Sequence, residues 1–184
     1  MKQIALSLLG TGLLLTVVVT GGCTASANKS PAVADSVHDA ERQAGLKDVT
    51  VSQDRVKAVV TLKGTVASEE EKNQAETIAK SLAPGQIVAN EIAVLPPGGE
   101  STAKAVNSNL DAAINKNLAA ALIAHNRLDK RVDTAVKNGV VTLTGSVTSE
   151  QIRHSAEKVA ASVPNVQQVV NKIDVKDRKA TSTK

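Results

Sequence analysis

Val59-Val60-Thr61-Leu62-Lys63-Gly64-Thr65-Val66-Ala67-Ser68-Glu69 is repeated as Val140-Val141-Thr142-Leu143-Thr144-Gly145-Ser146-Val147-Thr148-Ser149-Glu150. The offset of 81 residues holds without a gap to Val94 and Val175, and 17 of the 36 paired positions are identical. Two copies of a unit this long mean a tandem pair of domains rather than a solenoid. Inside each copy Val-Val-Thr-Leu is β-branched and apolar and predicts a strand. Gly64 and Gly145 follow at the point where the strand bends, and both are expected to need a backbone that only glycine adopts readily. Ser68 and Ser149 sit at helix N-cap positions. Ser68 with Glu71 has capping-box spacing, and Thr148 with Gln151 offers a second one.

The helices that follow carry apolar residues at i, i+3, i+4 and i+7: Ala75, Ile78, Ala79, Leu82, and then Ala156, Val159, Ala160, Val163. Pro84-Gly85 and Pro164-Asn165 terminate them. A closing strand puts Val88, Ile92, Val94 and their mates Val169, Ile173, Val175 on one face. Asn90 and Asn171 share that phase and are expected to make a structural hydrogen bond at the sheet edge.

Upstream of each block lie a helix and a first strand. In the second copy Leu110, Ala113, Ile114, Leu118, Ala121 and Leu122 form a helical stripe, Arg131–Val136 reads as a strand, and Asn138-Gly139 is a strong hairpin signal. In the first copy the helix is shorter, near Ala34–Ala44, with Val37, Ala40, Glu41 and Ala44 at helical spacing, and Val49 and Val51 open the strand. Lys57-Ala58 stands where the second copy has Asn138-Gly139, so the two turns are expected to differ. The order is α-β-β-α-β twice, an α+β class in which each small sheet carries two helices on one face. The domains are expected at 32–95 and 101–176, joined by a Pro-Pro-Gly-Gly linker at 96–100. A disordered basic tail is expected at 177–184. The 184 residues include no Phe, Tyr or Trp, so both cores must be built from Val, Leu, Ile and Ala.

The N-terminus reads as an export signal at 1–22: Lys2, an uncharged apolar run from Ile4 to Thr20, then small residues. Two processing sites compete. Gly21-Gly22-Cys23 resembles the lipobox of bacterial lipoproteins, whose cysteine is lipidated and becomes the new N-terminus, although Thr20 stands where that family has Leu or Val. Ala25-Ser26-Ala27 is an A-x-A site that would release a soluble periplasmic chain starting at Asn28. The lipoprotein reading is favoured. Cys23 is the only cysteine and cannot form an intramolecular disulfide. Residues 23–31 then form a polar spacer. Thr24 lacks the Asp of an inner-membrane retention signal, which by resemblance to Gram-negative lipoproteins implies sorting to the outer membrane.

The Val-Val-Thr-Leu-x-Gly-x-Val-x-Ser block, its Ala-rich helix and the closing Val-x-Asn-x-Ile-x-Val together resemble the BON domain, named for bacterial osmotically induced and nodulation proteins. The likeness covers most of residues 32–176 in two copies, and departs most in the first helix and hairpin of copy one. It implies paired αββαβ domains in an envelope protein that binds phospholipid or supports envelope integrity under stress. A pair of such domains behind a lipobox resembles the outer-membrane lipoproteins of that family.

No enzymatic constellation is legible and no cofactor is implied. His38, His125 and His154 are scattered without metal-ligand spacing. The run Glu69-Glu70-Glu71 is accounted for by the favourable placement of acids in a first helical turn. Nucleic-acid binding is not expected, because the stacking aromatics are missing. Charge is unevenly divided. Residues 31–95 hold seven Lys and Arg against ten Asp and Glu, whereas residues 100–176 hold ten against seven. Lys116, Arg127, Lys130 and Arg131, on or just after the long helix of the second copy, are the candidate contacts for anionic phospholipid. The expected partners are a membrane reached through acyl chains, anionic phospholipid, and possible envelope proteins. Two readings compete with it: a periplasmic protein-interaction scaffold with no lipid recognition of its own, and a soluble osmotic-stress periplasmic protein released after Ala27.

Overall fold

The computed structural model describes residues 29–125 and 128–176. Helix α1 (Ala34–Gln43), strands β1 (Val49–Asp54) and β2 (Val59–Val66), helix α2 (Glu69–Leu82) and strand β3 (Ile87–Val94) make the first domain. Helix α3 (Glu100–Ala124), a 3₁₀ turn (Leu128–Lys130), strands β4 (Val132–Lys137) and β5 (Val140–Val147), helix α4 (Glu150–Ala161) and strands β6 (Gln168–Asn171) and β7 (Asp174–Val175) make the second. The αββαβ order appears twice, as the repeat predicts. In each sheet the middle strand pairs antiparallel with the hairpin partner and parallel with the closing strand, in the orders β1-β2-β3 and β4-β5-β6, with β7 continuing alongside β5.

Gly64 and Gly145 stand opposite Val49 and Val132 in the hairpin register. Their φ angles are +126° and +117°. A Cβ on Gly64 would overlap the carbonyl oxygen of Asp48, and one on Gly145 that of Arg131. The hairpins differ as expected. Asn138 and Gly139 form a two-residue turn with φ of 46° and 77°, the signature of a type I′ turn. Arg55–Ala58 make a four-residue loop, in which Asp54 Oδ1 accepts from the amides of Val56 and Lys57.

Ser68 and Ser149 are the N-caps of α2 and α4, accepting from the amides of Glu71 and Ile152. Glu71 reaches back to the amide of Ala67 rather than to that of the cap. The Thr148–Gln151 box does not form. With Ser149 as the cap, the third helical position is Ile152, which has no acceptor to return.

Each domain has its own core. The second is built on Ile114, Leu118, Leu122, Leu128, Val141 and Leu143, among others. The first uses Val37, Leu46, Val49, Val60, Leu62 and Ile92. A fully buried side chain of this size contributes about 1.5–3 kcal/mol. Helix α1 supplies only Val37 as a buried apolar residue, where α3 supplies three. Three stripe residues depart from expectation. Ala44 is exposed at the end cap of α1. Leu82 is 37 % exposed and Ala83 is buried beyond the helix end in its place, and Ala113 lies on the solvent side of α3.

Asn90 is buried as a structural residue, but its partner is a helix rather than the sheet edge. Its Nδ2 donates to Lys72 O and Glu76 Oε2, both at 3.1 Å, and its Oδ1 accepts from the amide of Ile92. Asn171 repeats the pattern with Arg153 O, Glu157 Oε2 and the amide of Ile173. Burial works to raise the Glu76 pKa. Hydrogen bonds from Lys80 and Asn90, with the charge of Lys80 and Lys72 close by, outweigh it and hold the carboxyl below its ordinary value.

Candidate functional site

Among the described residues no three His, Cys, Asp or Glu side chains gather as a metal site would require. His38 lies in α1, His125 caps the end of α3 and His154 lies in α4, on three separate elements. Among the described residues no helix is long and apolar enough to cross a membrane. Chemistry must therefore be sought on surfaces and between domains.

The basic set predicted for lipid contact is partly described. Lys116 is exposed on α3, opposite the buried Ile114–Leu118–Leu122 stripe. Lys130 and Arg131 are exposed on the segment that leaves the helix, which is held down by the buried Leu128. Arg127 lies outside the described residues, as do Cys23, the export segment and the tail after Lys176. The structure adds what the charge reading missed. Lys116, Ala119, Ala120 and Ile123 recur at i, i+3, i+4 and i+7, so they share a face, and all four are exposed. Ile123 is 56 % exposed. The only sequence trace of it is the run Leu118–Ala124, which is apolar all round and does not by itself say which side faces water.

The second feature is the meeting of the two domains. Residues on the helix-free faces of the two sheets, Val59 and Ala89 from one and Val140 and Val170 from the other, form a small buried cluster. Polar contacts surround it. Gln168 Nε2 donates to Val88 O at 2.7 Å and its Oε1 accepts from the amide of Asn90, along the free edge of β3. Asn138 Nδ2 donates to Glu91 O at 2.6 Å. Lys57 pairs with Asp174, and Lys172 Nζ lies 4.0 Å from Asp54 Oδ2. The Lys57 hydrogen bond and charge hold the Asp174 carboxyl below its usual range. Away from the cluster the faces part into a cleft of about 960 Å³, flanked by the first half of α3. Lys63, Lys104, Lys137 and Lys172 line it with Glu91 and Asp111. Asp111 is already engaged, accepting from the amides of Asn138 and Gly139. Among the described residues that line the cleft there is no histidine or cysteine.

The BON-domain family model matches residues 32–96 and 110–177. The chain belongs to the BON-domain family. The BON match to the second domain begins at residue 110, inside α3, so the first turns of that helix, which flank the cleft, precede the matched segment. No curated protein matches the chain. Among solved structures, the BON pair is similar to CdsD, a structural protein of the type III secretion system of Chlamydia trachomatis. Identity is 12 % over 79 % of this chain and 64 % of that one, with a TM-score of 0.34. A C-terminal domain structure of CdsD is similar at 12 % identity over 77 % and 66 %, with a TM-score of 0.32. The chain thus spans just under two thirds of each of these.

Proposed function

We propose that this BON-domain chain is a non-enzymatic envelope lipoprotein, tethered through Cys23 at the outer membrane, whose second domain docks on anionic phospholipid to support envelope integrity. The observation that carries the reading is the outer face of α3, where exposed Ala119, Ala120 and Ile123 lie beside Lys116 and the chain continues into Lys130 and Arg131. Exposed apolar surface next to ammonium groups suits a headgroup layer, with each Lys or Arg near an anionic surface contributing about 1 kcal/mol. Membership of the BON family, which is associated with phospholipid binding and envelope stress, points the same way. Tether geometry is compatible. The first described contacts, Ser30 N to Arg55 O and Arg55 Nε to Ser30 O, lie seven residues beyond Cys23. A stretch of that length spans at most about 25 Å.

The test is flotation of unlipidated chain (residues 28–184) with vesicles of phosphatidylglycerol or of phosphatidylcholine at low and high salt. Binding to the anionic vesicles alone, weakened by salt and lost in Lys116→Ser/Lys130→Ser/Arg131→Ser with the circular dichroism unchanged, is the expected result. Binding that survives the triple substitution would overturn the assignment of this surface. No binding to either vesicle would favour the alternative, a scaffold that holds an envelope protein and touches the membrane only through its acyl chains.

A further inference from the structure

The contact between the domains is built on equivalent positions. Val59 and Val140 are mates at the 81-residue offset, and so are Ala89 and Val170. The same two positions of each domain therefore form the cluster, which gives the contact the form of a pseudo-twofold interface. Part of its charged rim follows the same relation with opposite sign; the Lys57–Asp174 pair, which carries the other sign across the contact, stands outside it. Asp54 and Lys137 are mates, because they stand opposite Val59 and Val140 in their hairpins. Glu91 and Lys172 are mates at the 81-residue offset. Where the first domain presents two carboxylates, the second presents two ammonium groups.

We propose that this charge swap is the recognition code by which the first domain selects the second. One cross-pair, Asp54 with Lys172, is formed at 4.0 Å. The symmetry-related residues Glu91 and Lys137 both line the shared cleft without forming an ion pair, and Glu91 lies instead 3.7 Å from Lys63 of its own domain. A first domain set against a second copy of itself would oppose Asp54 to Glu91 twice. Two second domains would oppose Lys137 to Lys172 twice. Like charges facing each other are a recurrent device against wrong pairing. The partner of each helix-free face is accordingly the other domain of the chain. The net charges of opposite sign in the two halves serve closure as well as any external surface.

Small-angle scattering of residues 28–184 in 50 mM salt tests this. A closed pair of this size has a radius of gyration of about 15 Å, and separating the domains raises it by roughly a quarter. Asp54→Lys with Glu91→Lys is expected to produce that expansion, partly reversed in 1 M salt. Adding Lys137→Glu and Lys172→Glu is expected to restore the closed value, because the signs are again opposite. Far-UV circular dichroism must match the parent throughout. An unchanged radius in the first variant, or a four-site reversal that stays expanded while fully folded, would overturn the proposal.

Discussion

Glu41 stands three residues before the C-cap of α1, as Leu122 stands three residues before that of α3. Both are buried, Glu41 to 0 % exposure, and neither carboxylate oxygen of Glu41 has a hydrogen-bond partner among the described residues. Burial pushes its pKa from 4.5 up to about 7. Between those values the folded domain binds a proton that the unfolded chain has lost, so stability falls as pH rises and levels off above the folded value. The drop is about 3 kcal/mol if the shift is expressed in full. Glu41→Leu is expected to raise first-domain stability at pH 8 by about 2–3 kcal/mol and to flatten this profile. Urea denaturation at pH 5 and pH 8 measures both. A variant as pH-sensitive as the parent would refute the assignment.

Asn90→Ala removes two donors to α2 and leaves the amide of Ile92 without its acceptor inside the core. A loss of about 2 kcal/mol is expected. Asn171→Ala is expected to cost a similar amount in the second domain, because its bonds to α4 are the same. Denaturant midpoints of the two variants give the comparison.

Gly64→Ala and Gly145→Ala each force a methyl group onto the backbone carbonyl of the residue just before the neighbouring strand, Asp48 or Arg131, at a φ that L-residues rarely adopt. Each is expected to destabilise its own domain by more than about 2 kcal/mol. Gly85→Ala is the control. It also has a positive φ, but a Cβ there meets nothing within 4 Å, so its cost is expected to be about 1 kcal/mol. Equal losses at Gly64 and Gly85 would mean that close approach is not what selects glycine in the strand.

Gln168→Leu deletes the side chain that bridges Val88 O and the Asn90 amide. Amide exchange at Asn90 is expected to accelerate while protection inside β2 and β5 is kept. If protection fell throughout the first sheet instead, Gln168 would be supporting the domain and not the contact between domains.

Much of each domain could be read from the chain because local chemistry decides it. A Val-Val-Thr-Leu run, a glycine at its bend, a serine before a helical stripe and a Pro-Gly or Pro-Asn stop constrain only their immediate neighbours, and their repetition at 81 residues supplied an independent check. Where two local choices were nearly equal the reading failed. The N-cap falls on Ser149 as read, but the Thr148–Gln151 box fails because the helix starts from Ser149. Leu82 and Ala83 both fit the end of the stripe, and only the smaller one is buried. The candidate lipid surface was legible as charge, but its exposed apolar part was not, because a helix that is apolar all round does not say which side faces water.

By itself the sequence determined the duplication, the αββαβ order, that the two hairpins differ and the absence of aromatic core residues, since each follows from spacing and residue chemistry within the chain. Only the tertiary structure decided that the helix-free faces meet, that Asp54 and Lys137 are equivalent despite the longer first hairpin loop, and that Glu41 is buried with no hydrogen-bond partner among the described residues. Those facts depend on which surfaces are brought together across roughly a hundred residues. A local pattern of charges and apolar side chains is compatible with several such arrangements until the packing selects one.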